Sequence, residues 1–508
     1  MGMGKSSLAE LRNDFADVTG LSAKRADGSD SLPLLGFSFY WAWVLSLLIL
    51  DRSAPSSLQV LGSLPVSVSE YAIRGMTLAA IFLFARGKSP RWTVATATRA
   101  APWTGLLGVA LLGLGSVLPG EAASLASAAA WLPIGIADGL LLVGWLDLYC
   151  IAGMRRAVAA LCLSALIAVA LLLLVSFLYQ PAALAVIALL PLACGLSLKG
   201  AQTRCSSAEK AALDDVVPLP KQRPASLVRI TAAIAFFGVA FGAMQAITFG
   251  NHETAVPIWY NVAGLVLGTV FAYAASIAPA ASRTGIIYRI ALPLTACGLL
   301  AAPLLGNNLA VANSLVIAGF YLFDLASITL LMRVSMLYRF PSTSAFSIGR
   351  CANALGIFVG WVVGWLLSEA VSFDSTALSA FNSLLLLVLI VSCGSLFAVK
   401  DEDAEEGEQV EERPSENGGS PAPEAPTPGR WKRQSDFIAA KYGLSQREKE
   451  VFSLLARGRN VEYISTVFVI SPHTSKTHIH NVYKKLGIHS QQDLISMVEK
   501  AAAELKTL

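Results

Sequence analysis

The sequence predicts an all-α protein in two parts: a polytopic transmembrane helical bundle of about twelve helices, six plus six, and a small four-helix domain at the C-terminal end. Three observations carry this. Of the 508 residues, 55% are hydrophobic and 14% charged, against about 45–50% and about 25% in an ordinary soluble domain. The apolar residues fall in recurring runs close to the ~20 residues that a spanning helix needs. Beyond residue 399 the pattern stops, and an acidic, Pro- and Gly-rich stretch leads into a segment with the periodicity and caps of short soluble helices.

The candidate spans lie at 34–50, 65–85, 101–118, 122–148, 157–178, 181–198, 227–249, 255–280, 285–304, 309–332, 345–368 and 376–398. Residues 1–33 are polar and mixed in charge, so the first apolar run reads as an uncleaved span rather than a leader. If the N-terminus is cytoplasmic, the inside loops collect Arg86, Lys88, Arg91 and Arg99, then Arg155 and Arg156. The next hold Lys199, Arg204, Lys210, Lys221, Arg223 and Arg229, then Arg283 and Arg289, and last Arg333, Arg339 and Arg350. The outside loops hold almost nothing basic beyond Arg52. Basic residues concentrate in cytoplasmic loops. The expectation is therefore a multi-pass protein of the cytoplasmic cell membrane with both termini inside. One missed span would invert the pattern downstream, so the charge asymmetry also checks the count.

The domain limits follow: a cytoplasmic segment 1–33, a membrane domain 34–398 with its longest loop at 199–226, a linker 399–434 and a terminal domain 435–508. Six spans on each side of a central cytoplasmic loop resemble the major facilitator architecture, two six-helix halves around a cavity. The resemblance is one of topology. That family's signature between its second and third spans contains an Asp. Here the loop reads ARGKSPRW (85 to 92), basic but without it.

Ionisable groups inside a membrane usually face a bundle interior or a wet cavity. Glu70 and Arg74, four apart, can pair on one face of the second span. Together with Asp324 on the tenth they form the candidate site for an unidentified small-molecule ligand or a proton. Asp138 and Asp147 on the fourth span read as structural or helix-end groups. Gly356, Gly360 and Gly364 repeat the spacing that lets two helices approach closely, for packing within the bundle or, on the sharper reading, at a dimer seam. The seven cysteines lack any C-x-x-C spacing, so buried thiols are expected, with no disulfide framework, metal or cofactor. No nucleophile–base pair or phosphate-binding Gly-rich loop is present, and enzymatic activity is not expected.

Charge is segregated along the chain: residues 1–399 carry a net +6, residues 400–429 a net −8 and residues 430–508 a net +6. The acidic stretch has almost no large apolar side chain and is expected to be a disordered spacer, repelled by anionic lipid and by nucleic-acid phosphate alike.

In the terminal part, Ser445-x-x-Glu448 is a capping box that opens a helix. Val451, Leu454 and Leu455 give it an apolar stripe, and Gly458 ends it. A short second helix spans about 461–468. Ser471-Pro472 then supplies an N-cap and a first-turn Pro for a third helix ending at Gly487. Ile479, Val482 and Leu486 line its inner face, and a fourth helix covers about 491–505. A tight turn between the second and third makes a helix-turn-helix, whose third helix enters the major groove.

Residues 444–495 closely resemble the LuxR-type helix-turn-helix family. The matching residues are Leu444, Ser445, Arg447, Glu448, Glu450, Val451, Leu455, Gly458, Ile464, Ile470, Ser471, Thr474, Lys476, His478, Lys485, Leu486 and Gly487. The resemblance implies that Lys476, Thr477 and His480 reach bases or nearby phosphates, and that Ser471, Thr474 and Lys484 hold the DNA backbone. Lys485 joins them on the basic face, His478 is structural, and the fourth helix is where such domains pair. The sequence departs from the family pattern at Ser475 and Ser465, which stand where Val and Ala are usual. The implied function is a membrane-bound, one-component transcription regulator. It would bind double-stranded promoter DNA as a homodimer, with RNA polymerase as a possible partner and the bundle in the lipid bilayer as sensor. The alternative is a transporter-like protein with a regulatory DNA-binding tail.

Overall fold

The computed structural model describes residues 34–391 except 54–64, 86, 218–224, 251–257, 277–282, 306–308 and 371–375. In the terminal part it describes 438, 441–445, 448–449, 451–452, 455, 472–488, 493–494 and 497. The expectations for 1–33, for the linker and for the second terminal helix lie outside these residues. The chain divides into two units, Met1–Glu412 and Arg413–Leu508.

In the first unit, helix α1 (Phe37–Ser53) is followed by a single 3-10 turn and α2 (Ser69–Phe84). Then come α3 (Pro90–Arg99), α4 (Ala101–Val117), α5 (Gly120–Ala152), α6 (Met154–Ser176), α7 (Gln180–Thr203) and the short α8 (Ser207–Asp214). The second half comprises α9 (Ala225–Gly250), α10 (Ile258–Ser276), α11 (Arg283–Ala301), α12 (Leu309–Leu337) and α13 (Ser342–Ala370), with α14 at Thr376–Val391. Eight stretches among the described residues are long and apolar enough to cross a membrane. They coincide with expected spans two to seven, ten and eleven. The other four expected spans fall on shorter apolar stretches: Phe37–Leu47, Val262–Ala272, Ile290–Ala301 and Thr376–Val391. Helices suit this medium because they satisfy every backbone N–H and C=O internally.

Two segments read as loop are helical. Helix α3 has Pro90 in its first turn and buries Thr93, Val94 and Ala97 while exposing Arg91 and Arg99. Helix α8 opens on a capping box: the Ser206 hydroxyl accepts from the Glu209 N–H and the Glu209 carboxylate accepts from the Ser206 N–H. Arg91 donates to both Asp214 oxygens at 2.9 and 3.1 Å, which ties α8 to α3. Gly153, at φ +93°, makes the sharp turn between α5 and α6, a conformation only Gly adopts freely.

The first half packs α4 on α5 and α7, and α1 on α6 and α7. The second packs α9 on α13, and α10 and α11 on α12. The halves meet where α2 and α5 lie against α13, and α6 lies against α10 and α12. The α9–α13 seam is built on the glycines noted above. A Cβ on Gly360 would stand 2.2 Å from the Val239 carbonyl oxygen, and one on Gly356 2.4 Å from that of Ala235. The G-x-x-x-G repeat thus packs within the bundle, backbone against backbone. Arg350 is corrected by the fold: counted with the inside-loop cations although it falls within the expected span 345–368, it is a buried group of α13, 6% exposed, and not a loop cation.

Replacing Gly360 by Leu is expected to lower stability by about 1–3 kcal/mol, the usual penalty for overpacking. Thermal unfolding of the purified protein in detergent checks this, and an unchanged midpoint would mean the seam is not closed there.

Candidate functional site

In the terminal unit, Ile438, Val451, Phe452, Leu455, Ile479, Val482, Leu486 and Leu494 form one buried cluster. The Ser445–Glu448 capping box is present, with the Ser445 N–H donating to Glu448 at 2.8 Å and the Glu448 N–H donating to Ser445 Oγ at 3.3 Å. Helix α15 (Pro472–Leu486) ends in a Schellman turn. Gly487 takes φ +67°, and the Ile488 N–H returns to the Tyr483 carbonyl at 3.1 Å. Turning Ile479, Val482 and Leu486 inward leaves Thr477, His480 and Lys484 exposed. His478 is half-buried, as the resemblance implied. Thr474 and Lys476 lie on α15 with undescribed side chains, and Ser471 lies outside the described residues.

Lys485 differs from the expectation. Its ammonium donates to Glu448 at 2.5 Å and to the Gly443 carbonyl at 3.3 Å, so it clamps α15 to the capped helix instead of lying free on the basic face. These bonds, the Lys485 contact foremost, pull the Glu448 carboxyl from an ordinary value near 4.5 down to about 2.

In the membrane unit, Arg74 donates to Asp138 Oδ2 at 2.9 Å, and the Tyr40 hydroxyl donates to Asp138 Oδ1 at 2.6 Å. Glu70 stands 3.7 Å from Arg74 Nε, and its Oε1 has no hydrogen-bond partner among the described residues. The sequence placed Glu70 as the partner of Arg74, but Asp138 on α5 is the closer one. In the other half, Arg350 pairs with Asp324 and donates to Asn353 at 3.3 Å.

A third buried carboxylate, Asp147 near the end of α5, accepts from the hydroxyls of Thr93 at 2.5 Å, Ser342 at 2.7 Å and Thr343 at 2.6 Å. It joins α3 and α5 of the first half to the start of α13 in the second. Sequence reasoning undervalued Asp138, Asp147 and Arg350. For Asp138 the available signal was its depth, far from either end of a 33-residue helix. Among the described residues no group of three His, Cys, Asp or Glu could hold a metal ion.

Residues 443–498 match the family described as bacterial regulatory proteins, luxR family, and the chain therefore carries a LuxR-type helix-turn-helix domain. No curated protein matches the chain. Among solved structures, a bacterial homologue of the iron transporter ferroportin in an outward-facing state aligns with 14% identity over 72% of this chain and 97% of its own, with a TM-score of 0.52. A second structure of such a homologue aligns with 13% identity over 76% of this chain and 99% of its own, with a TM-score of 0.51. The likeness is one of fold: the membrane domain is built like these two structures.

Two outcomes follow. Asp138→Asn leaves Arg74 without its closest counter-charge and should cost about 3–5 kcal/mol, while Arg74→Leu with Asp138→Leu should cost less than either single change; a double-mutant cycle in detergent measures it. Glu448 has a lowered folded value, so its contribution is complete above pH ~4.5 and is lost as pH falls toward ~2. Acid unfolding of a 430–508 fragment followed by circular dichroism should be steep in that window, and flat there for Glu448→Gln.

Proposed function

We propose that this protein is a one-component transcription regulator of the cytoplasmic membrane, in which the transmembrane bundle senses a ligand and the terminal domain binds promoter DNA. A single observation carries the reading: a luxR-family domain follows a multi-pass bundle in the same chain. The basic inside loops put both termini in the cytoplasm, where the terminal domain meets DNA. The domain binds as a homodimer through its fourth helix, at promoters shared with RNA polymerase.

On DNA, Lys476, Thr477 and His480 reach base edges or adjacent phosphates, and Ser471, Thr474 and Lys484 hold the backbone. Lys485 serves the fold. Thr477, His480 and Lys484 recur on the side of α15 opposite its buried residues, which supports that assignment. Lysines at the C-terminal end of α15 also complement its dipole.

We assign sensing to the buried charges within the two halves: Glu70, Arg74 and Asp324, now joined by Tyr40, Asp138 and Arg350. Counted together they hold three carboxylates and two guanidiniums, and Glu70 Oε1 lacks a donor among the described residues. That imbalance favours a cationic species, either a proton or an ammonium group. Asp147 supplies the two-state element. Its three hydroxyl donors hold the halves together, and they release more easily than an ion pair would.

Chromatin immunoprecipitation with sequencing, on the intact protein in its membrane, identifies the target promoters. On those promoters Lys476→Ala should weaken binding by roughly 5- to 150-fold, the loss of one base or phosphate contact, with membrane insertion intact. Unchanged affinity would remove Lys476 from the contact set. A reporter fused after Leu508 that faced the cell exterior would end the whole reading.

A further inference from the structure

We infer that the membrane domain carries a binding site for the phosphate headgroup of an anionic phospholipid, between α3 and the end of α7. A cavity of about 250 Å³ lies there, lined by Arg91, Thr98, Arg99, Lys199 and Gln202, with Ala95 as its apolar wall. Three of these side chains are cationic. Arg91 is already shared with Asp214. Neither Arg99 nor Lys199 has a carboxylate partner among the described residues, and both are exposed. The Thr98 hydroxyl gives its proton to the Ala95 carbonyl at 3.0 Å. The donors left for an anion are Arg99, Lys199, the remaining N–H groups of Arg91 and the Gln202 amide.

The surroundings favour a lipid over a soluble anion. One turn deeper than Arg99 is Trp103, 65% exposed; one turn deeper than Lys199 is Leu196, 70% exposed. Leu107 and Leu189 continue the two apolar ridges further in, on helices that pack against each other. Trp concentrates at the level of lipid headgroups. An exposed Trp beneath a cationic cavity therefore marks where acyl chain gives way to phosphate. The cavity is also smaller than the ~300–1,000 Å³ of sites for drug-sized ligands. It fits a headgroup whose chains lie outside along the two ridges, and not a nucleotide. These residues belong to the basic segments that the sequence reading places inside, so the leaflet is the cytoplasmic one. Only that choice of leaflet rests on the proposed orientation.

The test is native mass spectrometry of the purified full-length protein in detergent, titrated with dioleoylphosphatidylglycerol, dioleoylphosphatidylcholine or inorganic phosphate. The protein should retain phosphatidylglycerol in preference to phosphatidylcholine, and inorganic phosphate should not compete at comparable concentration. Arg99→Gln with Lys199→Gln should weaken phosphatidylglycerol binding about thirtyfold, from roughly fivefold per cation near a membrane surface. Arg99→Lys with Lys199→Arg should keep most of it. Arg204→Gln removes a cation from the same end of α7 without lining the cavity, and should change binding by less than about twofold. Equal retention of the two lipids by the unmodified protein overturns the inference, even if the double variant fails to fold. So does effective competition by inorganic phosphate, which would make the site one for a soluble anion. An Arg204→Gln effect as large as that of the double variant would reduce the attraction to general surface charge.

Discussion

A guanidinium sealed among apolar helices needs a carboxylate within reach, and much of the membrane domain is arranged around that requirement. Arg74 on α2 meets it through Asp138 on α5, and the second oxygen of Asp138 takes the hydroxyl of Tyr40 on α1. One carboxylate therefore fixes three helices of the first half at a common depth. Asp324 and Arg350 do the same for α12 and α13 of the second. Around these pairs the helices approach as closely as their backbones allow, because glycines line the α9–α13 seam. Neither feature works without the other: loose packing would admit water to the charges, and missing charge partners would make tight packing unaffordable.

The contacts between halves are of a different kind. Asp147 is held by three hydroxyls contributed from both sides and by no cation among the described residues. A hydrogen bond of this sort contributes less than a buried ion pair. The rigid interactions are thus kept inside each half and the yielding ones between them. That division suits rigid-body motion of one half against the other, the mode by which packed domains switch.

Much of this was legible in the sequence, because bilayer thickness and backbone satisfaction leave few options. Apolar runs located the spans, and the C-terminal caps and glycines located α15 and its end. Pairing across helices was less legible. Glu70 and Arg74 share one helix, so their spacing was visible. Asp138 reaches Arg74 from a helix more than sixty positions away, which no local pattern reports. Arg350 was misassigned because it was counted with the loop cations although it falls inside the expected span 345–368, where a charge needs a partner that only the folded bundle supplies. Lys485 looked like its neighbour Lys484, but the Glu448 carboxylate that claims it becomes adjacent only once the domain has folded.

The buried cluster of the terminal unit includes Ile438, five positions ahead of the first residue matched by the luxR family. The folded body is therefore longer than the homologous region. Trimming to the homology boundary would open the core on the side where Lys485 grips the Gly443 carbonyl.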